Sequence, residues 1–247
     1  MKVVVIGGTG LIGSKLVARL GEHGHEAVAA SPGTGVDTLT GQGLAEALTG
    51  ADVVVDVSNS PSFADDAVLK FFETSTRNIL QAATAAGVGH YVALSVVGTD
   101  RLQQSGYFRA KAAQEKLIAA GGIPWSIVHA TQFFEFAKAM VDAATDGDKV
   151  GFAPVLFQPI AGDDVAKTVG RTAVGAPQNG IVEVAGPEQF RMDEFFRTGL
   201  ARIGDPREVL TDPSAKYFGA DLTERTLVPA DGALLGETTY AAFKAAA

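Results

Sequence analysis

Lys2-Val3-Val4-Val5-Ile6-Gly7-Gly8-Thr9-Gly10-Leu11-Ile12-Gly13 decides how the rest of this chain is read. Val3 to Ile6 make a short, continuous, β-favouring apolar run, the pattern of a strand buried on both faces. The glycines that follow let the backbone turn tightly and approach a pyrophosphate closely. From Leu11 through Leu20 the pattern is helical. A helix beginning there points its free N–H groups and positive dipole end at that anion. The spacing is G-x-x-G-x-x-G with an additional Gly8, rather than the standard G-x-G-x-x-G dinucleotide fingerprint. A glycine turn alone also fits a tight βα connection that binds nothing; the strand before it and the helix after it favour the ligand.

Outward from this turn, strands and helices alternate. Strands are expected over 25–30, 51–57, 90–95 and 125–129, and helices over about 10–21, 43–48, 64–86 and 107–120. Gly87 is placed to cap the long third helix. This rhythm predicts an α/β fold, a Rossmann-type doubly wound parallel sheet. Beyond Thr131 it loosens. Phe133 to Phe136 open a helical stretch, a turn falls near Asp146-Gly147-Asp148, and Asp163-Asp164 start another helix, with an aspartate as N-cap. Residues 180–185 read as strand and 191–201 as helix. The expected organisation is a single domain over 1–247. Its core is about 1–131 plus returning elements in 150–190, and 132–150 with 191–247 supply a small substrate-facing lobe.

Composition narrows the function classes. The 247 residues are 47% hydrophobic and 19% charged, an ordinary globular balance. No apolar run approaches the ~18 residues of a membrane span, and the immediate first strand leaves no room for a signal peptide. The net charge of −8, without a basic cluster, argues against a nucleic-acid surface. The absence of cysteine excludes disulfides and thiolate chemistry and fits a cytoplasmic location. The four histidines form no metal constellation.

Ligands of open α/β sheets sit outside the carboxyl ends of the strands. Those ends carry Gly7 to Thr9, Ser31, Ser58-Asn59-Ser60 and Ser95. Tyr107 and Lys111, four apart, project from one helical face. A neighbouring ammonium favours a phenolate, so Tyr107 is a candidate to pass its proton to a carbonyl oxygen as hydride arrives at carbon. Lys111 also suits the nicotinamide ribose, and Ser95 suits the same carbonyl oxygen. Each has a bland counterpart: any surface helix can hold such a Tyr/Lys pair, and Ser95 can simply cap a strand.

The chain resembles the atypical, NmrA-like branch of the short-chain dehydrogenase/reductases. The matching residues are Gly7 to Gly13, Ser95-Val96-Val97-Gly98, Tyr107-x-x-x-Lys111 with Glu115 one turn on, and Trp125 to Phe133. Asp164-Val165-Ala166 and Gly186-Pro187-Glu188 resemble later landmarks. The resemblance implies a Rossmann fold, an NAD(P) cofactor, and often reduction of carbonyl, quinone-like or conjugated substrates. Non-catalytic members that bind dinucleotide and regulate a partner are implied as well. It places Thr131 and Gln132 at the nicotinamide and the start of the substrate pocket. His129 stands where relatives often carry arginine. Asn78 reads as a structural bond rather than part of a proton relay.

The candidate cofactor contacts are then Gly7, Thr9, Gly10, Leu11, Ile12, Gly13, Ser31, Thr34, Ser58, Asn59, Lys111, Ala130 and Thr131. Gln132, Phe133, Phe136 and Tyr217 are candidates for the substrate side. Phe133, Phe134 and Phe136 fit a pocket or an amphipathic core equally, and Tyr217-Phe218-Gly219 is placed to form a lid. Ser31-Pro32-Gly33-Thr34 carries neither the carboxylate that suits NAD nor the arginine that suits NADP. The missing carboxylate, with Ser31 and Thr34 as donors, favours NADP(H). Lys15 is expected to face solvent and Asp37 to reach toward the adenine. An oxidoreductase acting on a small molecule is the leading expectation, against a dinucleotide sensor and an epimerase or isomerase with no net redox change. The substrate and the oligomeric state are not readable from these residues.

Overall fold

The computed structural model describes residues 1–246. In chain order its elements are β1 (Lys2–Ile6), α1 (Leu11–Glu22), β2 (Glu26–Ala30), α2 (Leu44–Leu48), β3 (Val53–Asp56), α3 (Asp65–Ala86), β4 (His90–Val96), α4 (Gly106–Ala119) and β5 (Trp125–Ala130). Then follow α5 (Ala137–Ala143), β6 (Thr145–Asp146), β7 (Lys149–Phe152), β8 (Leu156–Phe157), α6 (Gly162–Val174), β9 (Gly180–Ala185), β10 (Phe190–Arg191), α7 (Met192–Arg202), β11 (Glu208–Thr211), β12 (Leu234–Leu235) and α8 (Tyr240–Ala246).

Seven parallel strands form the central sheet in the order β12-β9-β5-β4-β3-β1-β2. This is the doubly wound, Rossmann-like α/β architecture that alternation predicts. The chain steps from β1 outward to β2 and returns across β1 to β3, so its direction of travel across the sheet reverses at the β1/β3 crevice. Ligands of such sheets bind at that kind of reversal.

Strand side chains alternate between two apolar layers. Val3, Val5, Val53, Val55, Val92 and Val128 pack with Ile12, Leu16 and Leu20 of α1 and with Val165 and Val169 of α6. Val4, Ile6, Val54, Tyr91, Ala93 and Ile127 pack with α2, α3 and Ile118 of α4. Gly87 takes the left-handed conformation, φ +73°, and caps α3 as its position predicts. The other expected cap is corrected. Asp163 and Asp164 lie inside the first turn of α6, and Glu135 from outside the helix accepts from the Gly162 N–H at 3.0 Å.

A separate aromatic core lies beyond the sheet. Phe134, Phe152, Phe157, Phe195 and Phe196 are buried there with Met192 and Leu200. Small sheets β11-β7-β6 and β10-β8 brace it. The tail also returns to the main sheet through β12, which pairs in parallel with β9. Two-residue strands such as β12 leave no periodic signal in sequence. Among the described residues no helix is long and apolar enough to cross a membrane.

Candidate functional site

The turn after β1 is packed backbone to backbone. Gly7 has φ +78°, its N–H reaches Ala30 O at 2.9 Å, and its carbonyl accepts the Gly10 N–H at 2.9 Å. A Cβ on Gly8 would lie 2.7 Å from Val5 O and Ala29 Cα, and one on Gly7 would lie 2.9 Å from Ser58. A Cβ on Gly13 would collide with the Gly7 carbonyl oxygen. Thr9, Gly10 and Leu11 are exposed, whereas Ile12 turns its side chain into the core. Among the described residues no side chain caps α1, no acid sits in its first turn, and the amides of Leu11, Ile12 and Gly13 meet no acceptor. Three free amides at a positive dipole end, in a cradle that side chains would fill, fit a diphosphate.

The loop after β2 divides its two candidate donors. Thr34 accepts the Ser31 N–H at 2.9 Å, and its hydroxyl turns to Ala29 O (3.1 Å) and Ser31 O (3.0 Å). That hydrogen is spent on the loop. Ser31 Oγ is buried and has no partner, which suits a ligand oxygen. Asp37 bonds Leu39 N at 2.8 Å within its own loop instead of pointing outward. Lys15 does not stand free in solvent, because it pairs with Asp163 at 2.7 Å. Asn78 bonds Thr38 O at 2.8 Å, the structural role expected of it.

Across the crevice, Ser58 gives both its N–H (3.0 Å) and its hydroxyl (2.6 Å) to Asp56, while Asn59 is exposed and accepts Ser60 N at 3.0 Å. Lys111 is 3% exposed. Its Nζ donates to Leu94 O at 3.0 Å and to Gln114 Oε1, and lies 4.4 Å above the Phe72 ring. Burial drives the Lys111 pKa down to about 8, and the Asp56 and Glu115 charges work against that fall.

Tyr107 shares the α4 face with Lys111, but no hydrogen bond joins them, and its hydroxyl has no partner among the described residues. The ring stacks on Phe218 at 5.7 Å and contacts Phe63 at 5.5 Å and Phe108 at 5.5 Å. The expected ammonium-stabilised phenolate is therefore corrected: burial pushes the Tyr107 phenol up to about 12, and the lysine's contacts lie elsewhere. Ser95 likewise turns from the open side. It donates to Glu115 Oε1 and lies 3.4 Å from Thr99 Oγ1.

Ser95, His129 and Glu183 stand side by side on β4, β5 and β9. His129 Nε2 meets Glu115 Oε1 at 2.9 Å, and Nδ1 lies 3.9 Å from Glu183. Burial works to raise the Glu115 pKa, but bonds and charges from His129, Ser95 and Lys111 outweigh it and hold the carboxyl below its usual range.

Beyond β5, Ala130 is buried and its carbonyl accepts Val97 N at 2.9 Å. Thr131 Oγ1 and both side-chain polar atoms of Gln132 are buried without partners. Phe134 enters the aromatic core, whereas Phe133 and Phe136 stack on each other at 5.4 Å, with Phe136 exposed. Tyr217 and Ala220 exchange backbone bonds of 2.9 and 3.0 Å, closing a two-residue turn with φ +48° at Phe218 and φ +83° at Gly219. A phenylalanine there costs on the order of 1–3 kcal/mol. Burial raises the Tyr217 pKa, the adjacent Tyr107 phenol raises it further, and the nearby Gln132 amide pulls it back.

A family profile described as NAD(P)H-binding matches residues 34–172, more than half of the chain. The chain belongs to this NAD(P)H-binding family. It thereby falls within the NmrA-like, atypical short-chain dehydrogenase/reductase superfamily. The family match starts after the glycine turn, so that turn is independent evidence. A 4-hydroxy-tetrahydrodipicolinate reductase of Natronomonas pharaonis is 32% identical over 118 residues, 47% of this chain and 41% of the relative. The chain thus aligns with about two fifths of that curated relative's length. A dTDP-glucose 4,6-dehydratase of Streptomyces venezuelae, solved with NAD, superposes with TM-score 0.72 at 16% identity over 98% of this chain and 94% of its own. A UDP-glucose 4-epimerase of Thermus thermophilus, also with NAD, gives 0.67 at 18% identity over 86% of each chain. At such identities the likeness shows the family's fold.

Asp56, Gln114, Glu115 and His129 were not singled out as site residues from sequence. Their signals were present: polar residues ending buried strands, and Lys111, Gln114 and Glu115 at helical spacing.

Proposed function

We propose that the protein is a cytoplasmic NAD(P)H-dependent oxidoreductase that transfers hydride to a carbonyl, quinone-like or related small organic substrate. One observation carries this reading. The Tyr107 phenol, uncommitted and protonated at neutral pH, adjoins Tyr217, whose own hydroxyl neighbours the buried Gln132 amide, and it stands on the helix whose Lys111 reaches the strand ends. When bound, the cofactor supplies the hydride at nicotinamide C4. The α1 amides and the glycine turn would hold the diphosphate, Ser31 the adenosine ribose, and Lys111 the other ribose. NADP(H) is preferred because no carboxylate closes β2 to repel a 2′-phosphate.

Tyr107 acts as general acid at the substrate oxygen, and a neutral phenol suits proton donation better than abstraction. Gln132 and Tyr217 bind the same oxygen or its neighbour, and burial around them makes such bonds worth more than in water. Ser95 supports the site from behind, through Glu115. Segments 132–150 and 191–246, both of which contribute side chains to the aromatic core, form the substrate lobe.

A second reading, a non-catalytic dinucleotide sensor, is favoured by the covering of Tyr107 under Phe63 and Phe218. A third, an epimerase with bound NAD, follows what the neighbouring structures are named for. Fluorescence titration with NADPH and NADH, followed by oxidation assays on carbonyls and quinones, separates them. Tyr107→Phe should lower turnover about 10²- to 10³-fold with cofactor affinity nearly intact. Tight binding without oxidation supports the sensor, and retained cofactor recycled through turnover supports the epimerase. Turnover unchanged by the substitution removes the tyrosine from the mechanism.

A further inference from the structure

Asp56, at the carboxyl end of β3, touches both halves of the site. It is 1% exposed, and both of its oxygens are fully engaged. Oδ1 accepts the Ser58 N–H at 3.0 Å and the Ser58 hydroxyl at 2.6 Å. Oδ2 accepts the Gln114 amide at 3.0 Å and the Tyr91 hydroxyl at 3.3 Å. On one side, Ser58 is the backbone that a Gly7 side chain would strike. On the other, Gln114 presents its oxygen to Lys111.

We infer that Asp56 is a positioning residue that sets the Ser58 segment against the glycine turn and, through Gln114, holds Lys111 in place. The chemistry is directional. A glutamine amide has one donor end and one acceptor end. Asp56 takes the donor end, so the acceptor end must face the ammonium. A buried carboxylate is tolerated only with its lone pairs satisfied, and here four donors satisfy them. The charges that face Lys111 are Asp56 from β3 and Glu115 from its own helix, with Tyr91 and His129 one bond further out. Phe72 of α3 closes the remaining side. Both carboxylates favour the ammonium against burial, and Asp56 is the one that also holds the Ser58 segment packed against Gly7.

The part played by the Ser58 segment rests on the NAD(P)H reading, whereas the hold on Lys111 is measurable on unliganded protein. In Asp56→Asn one accepting atom becomes a donor, and the negative charge is lost. Trace acetylation of unliganded protein with acetic anhydride over a range of pH, read at Lys111 by mass spectrometry, gives the titration midpoint of the amine. The midpoint should fall by a unit or more in Asp56→Asn, raising Lys111 reactivity at pH 7 about fivefold. The NADPH dissociation constant should weaken about tenfold. In the double variant D56N/Q114E the amide now at position 56 donates to the carboxylate now at position 114, which accepts from Lys111. There the midpoint should return to the wild-type value or above. The double variant keeps the test alive if Asp56→Asn alone does not fold. A midpoint unmoved in Asp56→Asn, or below the wild-type value in the double variant, overturns the role of Asp56. Failure of the wild-type protein to bind NADPH while the midpoint shifts overturns the cofactor reading instead and leaves the hold on Lys111 supported.

Discussion

The β1–α1 turn and the aromatic lobe are built on opposite principles. At the turn, main chain meets main chain, and glycines serve because no side chain fits between Gly13 and the Gly7 carbonyl. In the lobe, side chains make the contacts: Phe152 and Phe196 stack at 4.0 Å, and Phe195 meets Tyr240 at 4.6 Å. A backbone-packed site is rigid and intolerant but needs few residue types. A side-chain core gains stability from apolar area, and its members can be exchanged for others of similar volume.

Gly13→Ala should break the first region outright. The new methyl has nowhere to go, overpacking costs on the order of 3 kcal/mol or more, and NADPH affinity in a fluorescence titration should fall at least a hundredfold. Phe152→Ala should cost about 3–5 kcal/mol, visible as a lower denaturation midpoint, while NADPH affinity stays within threefold. If Phe152→Ala weakens the cofactor as much as Gly13→Ala does, the two regions are not separate in the way described.

Between them lies Lys111, and its titration sharpens the contrast. Burial lowers the Lys111 pKa from its ordinary 10.5 to about 8 in the folded protein. Between those values the unfolded chain holds a proton that the folded chain has released, so stability rises with pH. The gain is fully present above the unfolded value and is lost as pH falls through about 8. Above about pH 10 the buried phenols of Tyr91, Tyr107 and Tyr217, all raised, work in the opposite direction. Denaturation of the wild-type protein between pH 8 and 10 should therefore show a rise on the order of 1–3 kcal/mol, which Lys111→Met abolishes. A wild-type profile flat over that range would contradict the burial of a charged amine. The smallest effect belongs to the surface: the Lys15–Asp163 pair is half exposed, so Lys15→Ala should cost no more than about 0.5 kcal/mol, and less in high salt.

Much of the sheet was legible because Val3 to Ile6, Val53 to Val55 and Trp125 to His129 are β-rich runs bounded by turn residues. The long pattern of α3 and its Gly87 stop were equally plain. Two-residue strands such as β8, β10 and β12 were not, because they arise where distant loops meet a sheet edge. The cap on α6 was misassigned for a related reason. Asp163 is the right residue type locally, yet Glu135, 27 residues upstream, reaches the Gly162 N–H first. At the candidate site, Tyr107 and Lys111 were visible as a pair on one helix face, but their partners were not. Phe63 and Phe218 on the phenol, and Leu94 O on the ammonium, come from segments outside the helix, while Gln114, one turn along the same helix, is turned to Lys111 by Asp56 of β3.

By itself the sequence determined the alternation of strand and helix, and with it a parallel sheet whose first strand runs through a glycine-rich turn into a helix. Such features follow from backbone conformation, which neighbours a few residues apart impose. Only the tertiary structure decided that Asp56 would bind Ser58 and Gln114, that His129 would lie between Glu115 and Glu183, and that Phe218 would cover Tyr107. Those contacts depend on strand order and on where the tail returns, and a hydrogen bond or a ring stack forms only when folding brings its two ends within a few ångströms.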